Sequence, residues 1–273
     1  MRDDITRQSV LFPHLARRPV VVKFDQVHAS SDGGALLLKG CDARLDLTRR
    51  LAMCLVERRQ VGKIEHTMID LVQQRIFAIA CGYADGNDAA RLAEDPVHKL
   101  LLNRDPVSGR QLASQPTVSR FENGPCRSEL YRMSVELAEA VIERHRKRLG
   151  TRRVKHIMID LDPTDDPTHG AQQLSFFNGH YDSWCYLPVA GFLTFNHEPE
   201  QYLFAYVLRA GNAPAKQGAI GILERVIERL REHFPRVRIL VRLDGGFAGP
   251  ELLDFLEQAA VDYIVGLAEN KVL

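Results

Sequence analysis

The chain has 273 residues, of which 45% are hydrophobic and 26% charged, with 36 Lys and Arg against 35 Asp and Glu. These values are typical of a folded globular protein and exclude a disordered, collagen-like or disulfide-scaffold chain. Residues 1–150 carry 24 basic against 19 acidic side chains (+5), and residues 151–273 carry 12 against 16 (−4). A basic first half suits a polyanionic partner and an acidic second half suits a metal site, while two ordinary solvated surfaces explain such small excesses equally well.

The five cysteines are widely spaced, so they form neither a zinc motif nor a redox CxxC pair. The N-terminal sequence has no long apolar segment of the secretory type, and no apolar run approaches the roughly 20 residues that span a bilayer. We therefore expect a cytoplasmic protein with reduced thiols that does not contact a membrane.

The first half of the chain is predicted to be mainly helical, because apolar residues recur there at steps of three and four. The turn cluster at 30–34 places Ser30, Ser31 or Asp32 close to the N-cap of the first helix. Gly82 and Gly150 are expected to end the two longer helices. In chain order, the predicted elements are a short strand at 20–24, a helix from residue 35, a helix at 64–81, a loop-rich connection, a short helix at 117–121 and a helix at 130–149.

The second half, from residue 151, alternates short strand-like runs with two amphipathic helices. In chain order, the predicted elements are strands at 155–162, 184–195 and 202–208, a helix at 216–234, a strand at 238–244, a helix at 249–259 and a strand at 262–266. This order predicts a mixed α/β sheet with helices packed on it. The sheet would be incomplete, because no covering helix follows the last strand.

Two aspartates stand out by their positions in this predicted sheet. Asp162 ends the first strand of the second half, and Asp244 ends the fourth. The carboxyl ends of neighbouring strands are where ligands collect, so two adjacent strands would let both side chains bind a common Mg²⁺. Two such ions can hold the attacking and leaving oxygens of a phosphodiester. The alternative is that each aspartate simply caps a strand before a turn.

Other acids near Asp162 compete with it for this role. Asp160 lies on the same strand face but nearer the middle of the apolar run, while Asp165 and Asp166 follow in the predicted loop. The position at the strand tip favours Asp162. A DxD motif formed by Asp160 and Asp162 would instead indicate a metal-dependent glycosyltransferase, but the helical first half offers no nucleotide-sugar fold.

Long motifs in both halves of the chain resemble one known family. They are SSDGGALLL, GYADGNDAARLAEDP, LASQPTVSRFENG, IDLDPTDDPTHGAQQLSFFNGHYDSWCYLPVAGFLTF and VRLDGGFAGPELLDFLEQAAVDYIVGLAEN. The chain resembles DDE transposases of bacterial insertion sequences, in the group-one branch that includes the insertion-sequence family numbered thirteen-eighty. The resemblance implies an RNase H-like core, three acids that bind two Mg²⁺ or Mn²⁺ ions, and a homo-oligomer when active. The implied function is DNA transposition, with cleavage and joining of double-stranded DNA at transposon ends and target.

The resemblance assigns catalytic and metal-binding roles to Asp162, as the first acid, and to Asp244, as the second. Relatives carry the third acid in a Tyr-x-x-Arg-x-x-x-Glu pattern, which this sequence lacks after Asp244. Glu251, Glu257 and Glu269 come too soon to replace it. We therefore expect a C-terminally truncated transposase with impaired activity, or alternatively a non-catalytic remnant that binds DNA and regulates intact copies.

This interpretation divides the chain into two domains. Residues 1–150 form a mainly helical DNA-binding region, and residues 151–273 form an RNase H-like DDE catalytic domain that lacks its C-terminal part. Basic side chains would bind the DNA phosphates, although each arginine singly also suits an exposed, solubilising role. The candidates are Arg49, Arg50, Arg58, Arg59, Arg120 and the cluster at 144–148. The sequence does not identify a base-reading helix.

Overall fold

The computed structural model describes residues 8–9, 21–22, 29–149 and 154–267. The chain divides into two compact units, residues 1–133 and 134–273. Within the described ranges, every helix is too short or too polar to cross a bilayer. Strand β1 (Gln8–Ser9) pairs antiparallel with β2 (Val21–Val22), which is the described part of the strand predicted at 20–24. Gly150 and Glu269, which carried predictions, lie outside the described residues.

The first unit is mainly helical, as predicted, and its helices are short. They are α1 (Ala35–Leu45), α2 (Leu47–Met53), α3 (Met68–Ala80), α4 (Asp88–Leu92), α5 (Pro96–Leu101), α6 (Gln115–Glu122) and the beginning of α7 (Arg127–Leu149). Two clusters of buried apolar side chains hold them together. Phe77 and Leu101 belong to the first cluster, while Leu71, Ala113 and Val118 belong to the second.

The starts of α1 and α3 differ from the sequence predictions. Gly34 occupies the N-cap of α1 without a side-chain cap bond. The predicted cap, Asp32, is used elsewhere, because its Oδ2 lies 3.0 Å from Nε2 of buried His98. α3 begins only at Met68, since a reciprocal capping box between Thr67 and Asp70 fixes its first turn there.

Part of the predicted loop connection is helical instead, in α4 and α5. Asp95 Oδ1 accepts hydrogen bonds from the backbone N–H groups of Val97 (2.8 Å) and His98 (2.9 Å), which caps α5. Pro96 lies in the first turn, where its missing N–H costs nothing. The Asp-Pro pair therefore starts a helix within the connection that was predicted to be loop-rich.

The second unit contains a mixed sheet, as predicted. Its strands lie in the order β10-β9-β3-β7-β8, with β3 at the centre. β3 pairs antiparallel with β7 and parallel with β9. The bounds are β3 (His156–Pro163), β7 (Val189–Phe195), β8 (Tyr202–Val207), β9 (Arg238–Leu243) and β10 (Asp262–Val265), with helices α8 (Ala219–His233) and α9 (Pro250–Gln258).

The core of this unit forms between the sheet and its helices. The stripe predicted from the sequence of α8 is buried, with Leu223, Ile227 and Leu230 at most 3% exposed. They join Ile157 and Ile159 from β3 in one apolar cluster. Burial of each such side chain stabilises the unit by about 1.5–3 kcal/mol relative to leaving it exposed.

The single strand predicted at 184–195 is in fact two strands in different sheets. β6 (Ser183–Tyr186) and β7 are separated at Pro188, which has no N–H to donate to a ladder. β6 is the middle strand of a small sheet that it forms with β4 (Asp166–Pro167) and β5 (Phe176–Asn178). The sequence analysis predicted loops in place of β4 and β5, because runs of two and three residues carry no periodicity.

Candidate functional site

The register of β3 and β9 brings the two predicted aspartates to one edge of the sheet. In this parallel pair, Leu161 is the register partner of Leu243. Asp162 and Asp244 are the next residues along the two strands, and both are exposed. Two carboxylates separated by 82 positions in the sequence are therefore neighbours at adjacent strand ends.

Alternation along β3 sets the direction of its acids. Ile157, Ile159 and Leu161 are buried in the core. Because successive side chains of a strand point to opposite faces, Asp160 and Asp162 both lie on the other face. The same apolar alternation that anchors the strand thus directs its carboxylates away from the core.

A tight turn after β9 holds Asp244. Its Oδ1 accepts a hydrogen bond from the backbone N–H of Gly246 at 2.8 Å. Phe247 is fully buried at the end of this turn and anchors it to the core. A Cβ atom at Gly246 would lie 2.9 Å from the Cβ of Ala215, so glycine is the residue that fits there.

The environment of Asp162 favours its protonated form. Partial burial raises the pKa of this carboxyl group, and the negative charges of Asp244 and Asp160 raise it further. The charge of Asp244 affects the pKa of Asp162 because the two carboxylates lie close to each other. Such a pair is stabilised by a positively charged partner.

Tyr181 is a neighbour of this pair that the sequence analysis missed. Its hydroxyl donates to the backbone carbonyl of Pro163, with an O···O distance of 3.3 Å. Burial raises the pKa of Tyr181, and the charges of Asp162, Asp165 and Asp244 raise it further. No signal in the sequence indicates this proximity, because it depends on the small sheet that carries the tyrosine.

Asp160 differs from the pair because it is neutralised within the protein. Arg242, its register partner on β9, donates from Nε to Asp160 Oδ1 at 2.6 Å. Across the described part of the chain, by contrast, neither Asp162 nor Asp244 has a cationic partner. The ion pair of Asp160 argues against a DxD motif and for Asp162 as the available acid on β3.

The remaining acidic candidates do not complete a three-acid site. Glu257 accepts a hydrogen bond from the Tyr263 hydroxyl at 2.7 Å, and Glu251 is exposed in the first turn of α9. Among residues 29–149 and 154–267, no group of three His, Cys, Asp or Glu side chains is arranged to hold a metal ion.

Four of the basic candidates for DNA contact already pair with an acid. Glu129 binds Arg58 at 2.8 Å, and further ion pairs join Arg49 to Asp46, Arg59 to Glu57 and Arg148 to Glu198. Arg120 is exposed, and its guanidinium contacts no partner in the ranges that the structure describes. Arg120 shares this state with Arg144, which is also exposed and lies outside every ion pair of the described ranges.

Two transposase structures are similar to this chain. The Drosophila P element transposase strand transfer complex aligns with a TM-score of 0.29 and 10% identity, covering 70% of this chain and 44% of that chain. The Mos1 transposase paired-end complex with left transposon end aligns with a TM-score of 0.26 and 14% identity, covering 86% and 77%. This chain thus spans less than half the length of the P element chain.

No curated protein matches the chain by sequence. The model of one sequence family does match, and it extends over residues 12–273, which is nearly the whole length. Its description is "Transposase DDE domain group 1". The chain therefore belongs to the group 1 family of transposase DDE domains.

Proposed function

We propose that this protein acts in DNA transposition by metal-dependent cleavage and transfer of DNA strands, with Asp162 and Asp244 as catalytic, metal-binding residues. The single observation that carries the proposal is the placement of two exposed carboxylates without a cationic partner at adjacent, parallel strand ends of an RNase H-like sheet. Membership of the group 1 family supports it. The finer assignment, a bacterial insertion sequence of the family numbered thirteen-eighty, rests on the motif resemblance.

The carboxylates fit the divalent metal that this family implies. Mg²⁺ and Mn²⁺ prefer hard oxygen ligands and bind through one or two carboxylates when phosphate oxygens supply others. Burial raises the pKa of Asp162, and the charge of Asp244 raises it further; a bound cation would relieve this repulsion between the two carboxylates. When bound, such ions would polarise a phosphodiester and activate the attacking hydroxyl group.

Each residue of the site has a defined task in this proposal. Asp162 and Asp244 would hold the metal from two sides of one sheet edge. The turn at Gly245–Phe247 keeps Asp244 in place, and Asp160 is kept out of the ligand set by Arg242. Tyr181 lies near enough to the pair for the two charges to raise the pKa of its hydroxyl group beyond the effect of burial.

We also propose that these 273 residues alone cleave DNA poorly. They supply two acids of the three, and loss of a metal anchor is expected to cost about a thousandfold or more in rate. The alternative is a non-catalytic remnant that binds DNA and regulates intact copies. A shortened copy would be recognised by reading the downstream nucleotide sequence in all frames for a Tyr-x-x-Arg-x-x-x-Glu segment.

The partners follow from the same proposal. Double-stranded DNA at transposon ends and at the target would be the substrate, and two or more copies of the chain would bring two ends together. We propose that residues 1–150 provide most DNA contacts, whereas residues 151–273 carry the catalytic carboxylates. The excess of basic side chains in the first range supports this division.

Metal binding and DNA cleavage by the full chain test the proposal together. Titration with Mn²⁺, followed by electron paramagnetic resonance, should show binding that Asp162→Asn and Asp244→Asn each abolish. Asp254→Asn, which changes an exposed acid on α9, is the matched control and should bind Mn²⁺ normally. Equal binding by all four proteins would refute the assignment of the site.

DNA binding separates the two forms of the proposal. In a mobility-shift assay with transposon-end duplexes, binding should survive Asp162→Ala and Asp244→Ala. Slow cleavage that both changes eliminate would support an impaired transposase, and binding without any cleavage would support the remnant. Robust cleavage by the unmodified chain would contradict the predicted impairment.

A further inference from the structure

A cavity of about 910 Å³, open to solvent, lies within the first unit. α6 forms one wall with Thr117, Arg120 and Phe121, and the segment 55–66 with Lys63 forms the facing wall. All of the residues that line the cavity precede residue 130.

α6 is held rigidly in its place beside this cavity. The buried side-chain amide of Gln74 makes two hydrogen bonds of 2.9 Å with Ala113, donating to its carbonyl and accepting from its N–H. Val118, which is 2% exposed, packs in the core, and Arg75 forms an ion pair with Glu122 near the end of the helix. The beginning, middle and end of this short helix are thus each fixed by the rest of the unit.

The side of α6 opposite Val118 is polar. Each residue advances a helix by about 100°, so Arg120 points away from the buried Val118, with Thr117 and Asn123 beside it. Arg120 is exposed, and nothing in the described ranges neutralises it. A rigid helix with a polar outer side and a free guanidinium has the form of elements that enter the major groove of DNA.

Cations without an acidic partner outnumber unpaired acids around the cavity, which the exposed Glu65 also lines. Lys63 is exposed on the facing wall and, like Arg120, contacts no acid in the described part of the chain. Arg110 also lines the cavity and donates to the backbone carbonyl of Glu65, an interaction that leaves its charge uncompensated. Arg58, in contrast, is neutralised by Glu129.

We propose that α6 is a DNA-recognition helix, in which Arg120 contacts base edges of duplex DNA while Lys63 binds a backbone phosphate. This inference rests on the proposed function in DNA transposition and adds the surface that recognises the DNA. The planar fork of arginine matches the O6 and N7 acceptors of guanine, whereas the ammonium group of lysine suits a phosphate. The two residues should therefore have different effects on specific and non-specific binding.

Selection from a pool of duplexes with 20 random base pairs tests this inference with the full chain. Wild-type protein should enrich a sequence that contains guanine. Arg120→Lys keeps the charge but loses the fork, so it should bind the enriched duplex roughly 5- to 150-fold more weakly and a scrambled duplex almost unchanged. Arg120→Ala should lose the same preference.

Lys63→Ala should weaken binding to both duplexes equally and reduce the slope of log affinity against log salt by about 1. Arg127→Ala, which removes an exposed cation outside the cavity, is the control and should change neither preference nor slope. Circular dichroism confirms that each variant is folded.

An unchanged preference in Arg120→Lys, with wild-type protein selecting a sequence, would overturn the inference and leave the proposed function intact. A wild-type chain that binds no duplex at all would overturn both.

Discussion

The two units of the chain differ in the sign of their unpaired charges: the first has unpaired cations and the second has unpaired carboxylates. In the first unit, buried Glu129 is neutralised by Arg58 and by backbone N–H groups, while the cations Lys63 and Arg120 face an open cavity. In the second unit, the carboxylates Asp162 and Asp244 stay without a cation at the sheet edge. An unpaired charge is stabilised by a ligand of opposite sign. The unpaired cations of the first unit therefore suit the proposed DNA ligand, and the unpaired carboxylates of the second unit suit the proposed metal ion.

The largest expected effect on stability concerns Phe247, which anchors the turn that holds Asp244 at the sheet edge. Phe247→Ala should lower the free energy of unfolding by about 3–5 kcal/mol, because it leaves a cavity below the turn that holds Asp244. Urea denaturation measures the change. Leu267→Ala, at a position 70% exposed, should change the stability by less than about 0.5 kcal/mol. Similar losses in both variants would show that the turn is not anchored as described.

A smaller effect on stability is expected at Gln74, which holds Ala113 just before α6 in the first unit. Gln74→Ala removes both hydrogen bonds to Ala113 and should destabilise the protein by about 2–3 kcal/mol, since buried backbone groups lose their partners. Hydrogen exchange at residues 117–121 should accelerate as the start of α6 loosens. Gln60→Ala, at an exposed position, is the control. Unchanged exchange would contradict the proposed rigidity of this helix.

The buried carboxylate of the first unit should make its stability depend on acid. Hydrogen bonds from Arg58 and from the backbone N–H groups of Cys126 and Val56 hold the pKa of Glu129 well below its ordinary value of 4.5. Its contribution is present above pH 4.5 and is lost as the pH falls through the folded-state pKa. Thermal midpoints at pH 7, 5 and 3 should therefore decline less in Glu129→Gln than in wild type.

The exposed Glu65→Gln is the matched control for this pH series and should decline as wild type does. A parallel decline in wild type and Glu129→Gln would assign the acid sensitivity to other groups.

The smallest effect concerns repulsion between the two carboxylates at the sheet edge. The raised pKa of Asp162 means that its ionised form is disfavoured in the folded state, so stability falls as the pH rises through that pKa. In metal-free buffer, Asp244→Asn should raise Tm by about 2 °C at pH 7 and leave it unchanged at pH 3. The control Asp254→Asn should show no gain at either pH, and a gain at pH 3 would exclude repulsion as the cause.

The fold was predictable from the sequence where elements are long and periodic. The stripe of Leu223, Ile227 and Leu230 predicted α8, and the apolar runs before Asp162 and Asp244 predicted β3 and β9, because burial of one side imposes a regular spacing. Asp162 and Asp244 stand out in the sequence because each comes directly at the end of one of these apolar runs.

Features that depend on contacts between distant residues escaped the sequence analysis. The clamp from Gln74 to Ala113 joins residues 39 positions apart, and the position of Tyr181 depends on a sheet of very short strands. In the sequence, the Asp95-Pro96 pair that caps α5 is equally typical of a turn, so it does not by itself predict the helix. None of these has a period, so hydrophobic spacing carries no information about them.

The parallel pairing of β3 with β9 also has a consequence for the order of events during synthesis and folding. The segment between the two strands contains an antiparallel hairpin and a helix, and the loop that it closes is long, so the pairing is costly in chain entropy. While only Asp162 has emerged from the ribosome, the strand that brings Asp244 beside it has not yet been made. The proposed binding of a divalent cation would therefore become possible only after Asp244 has left the ribosome.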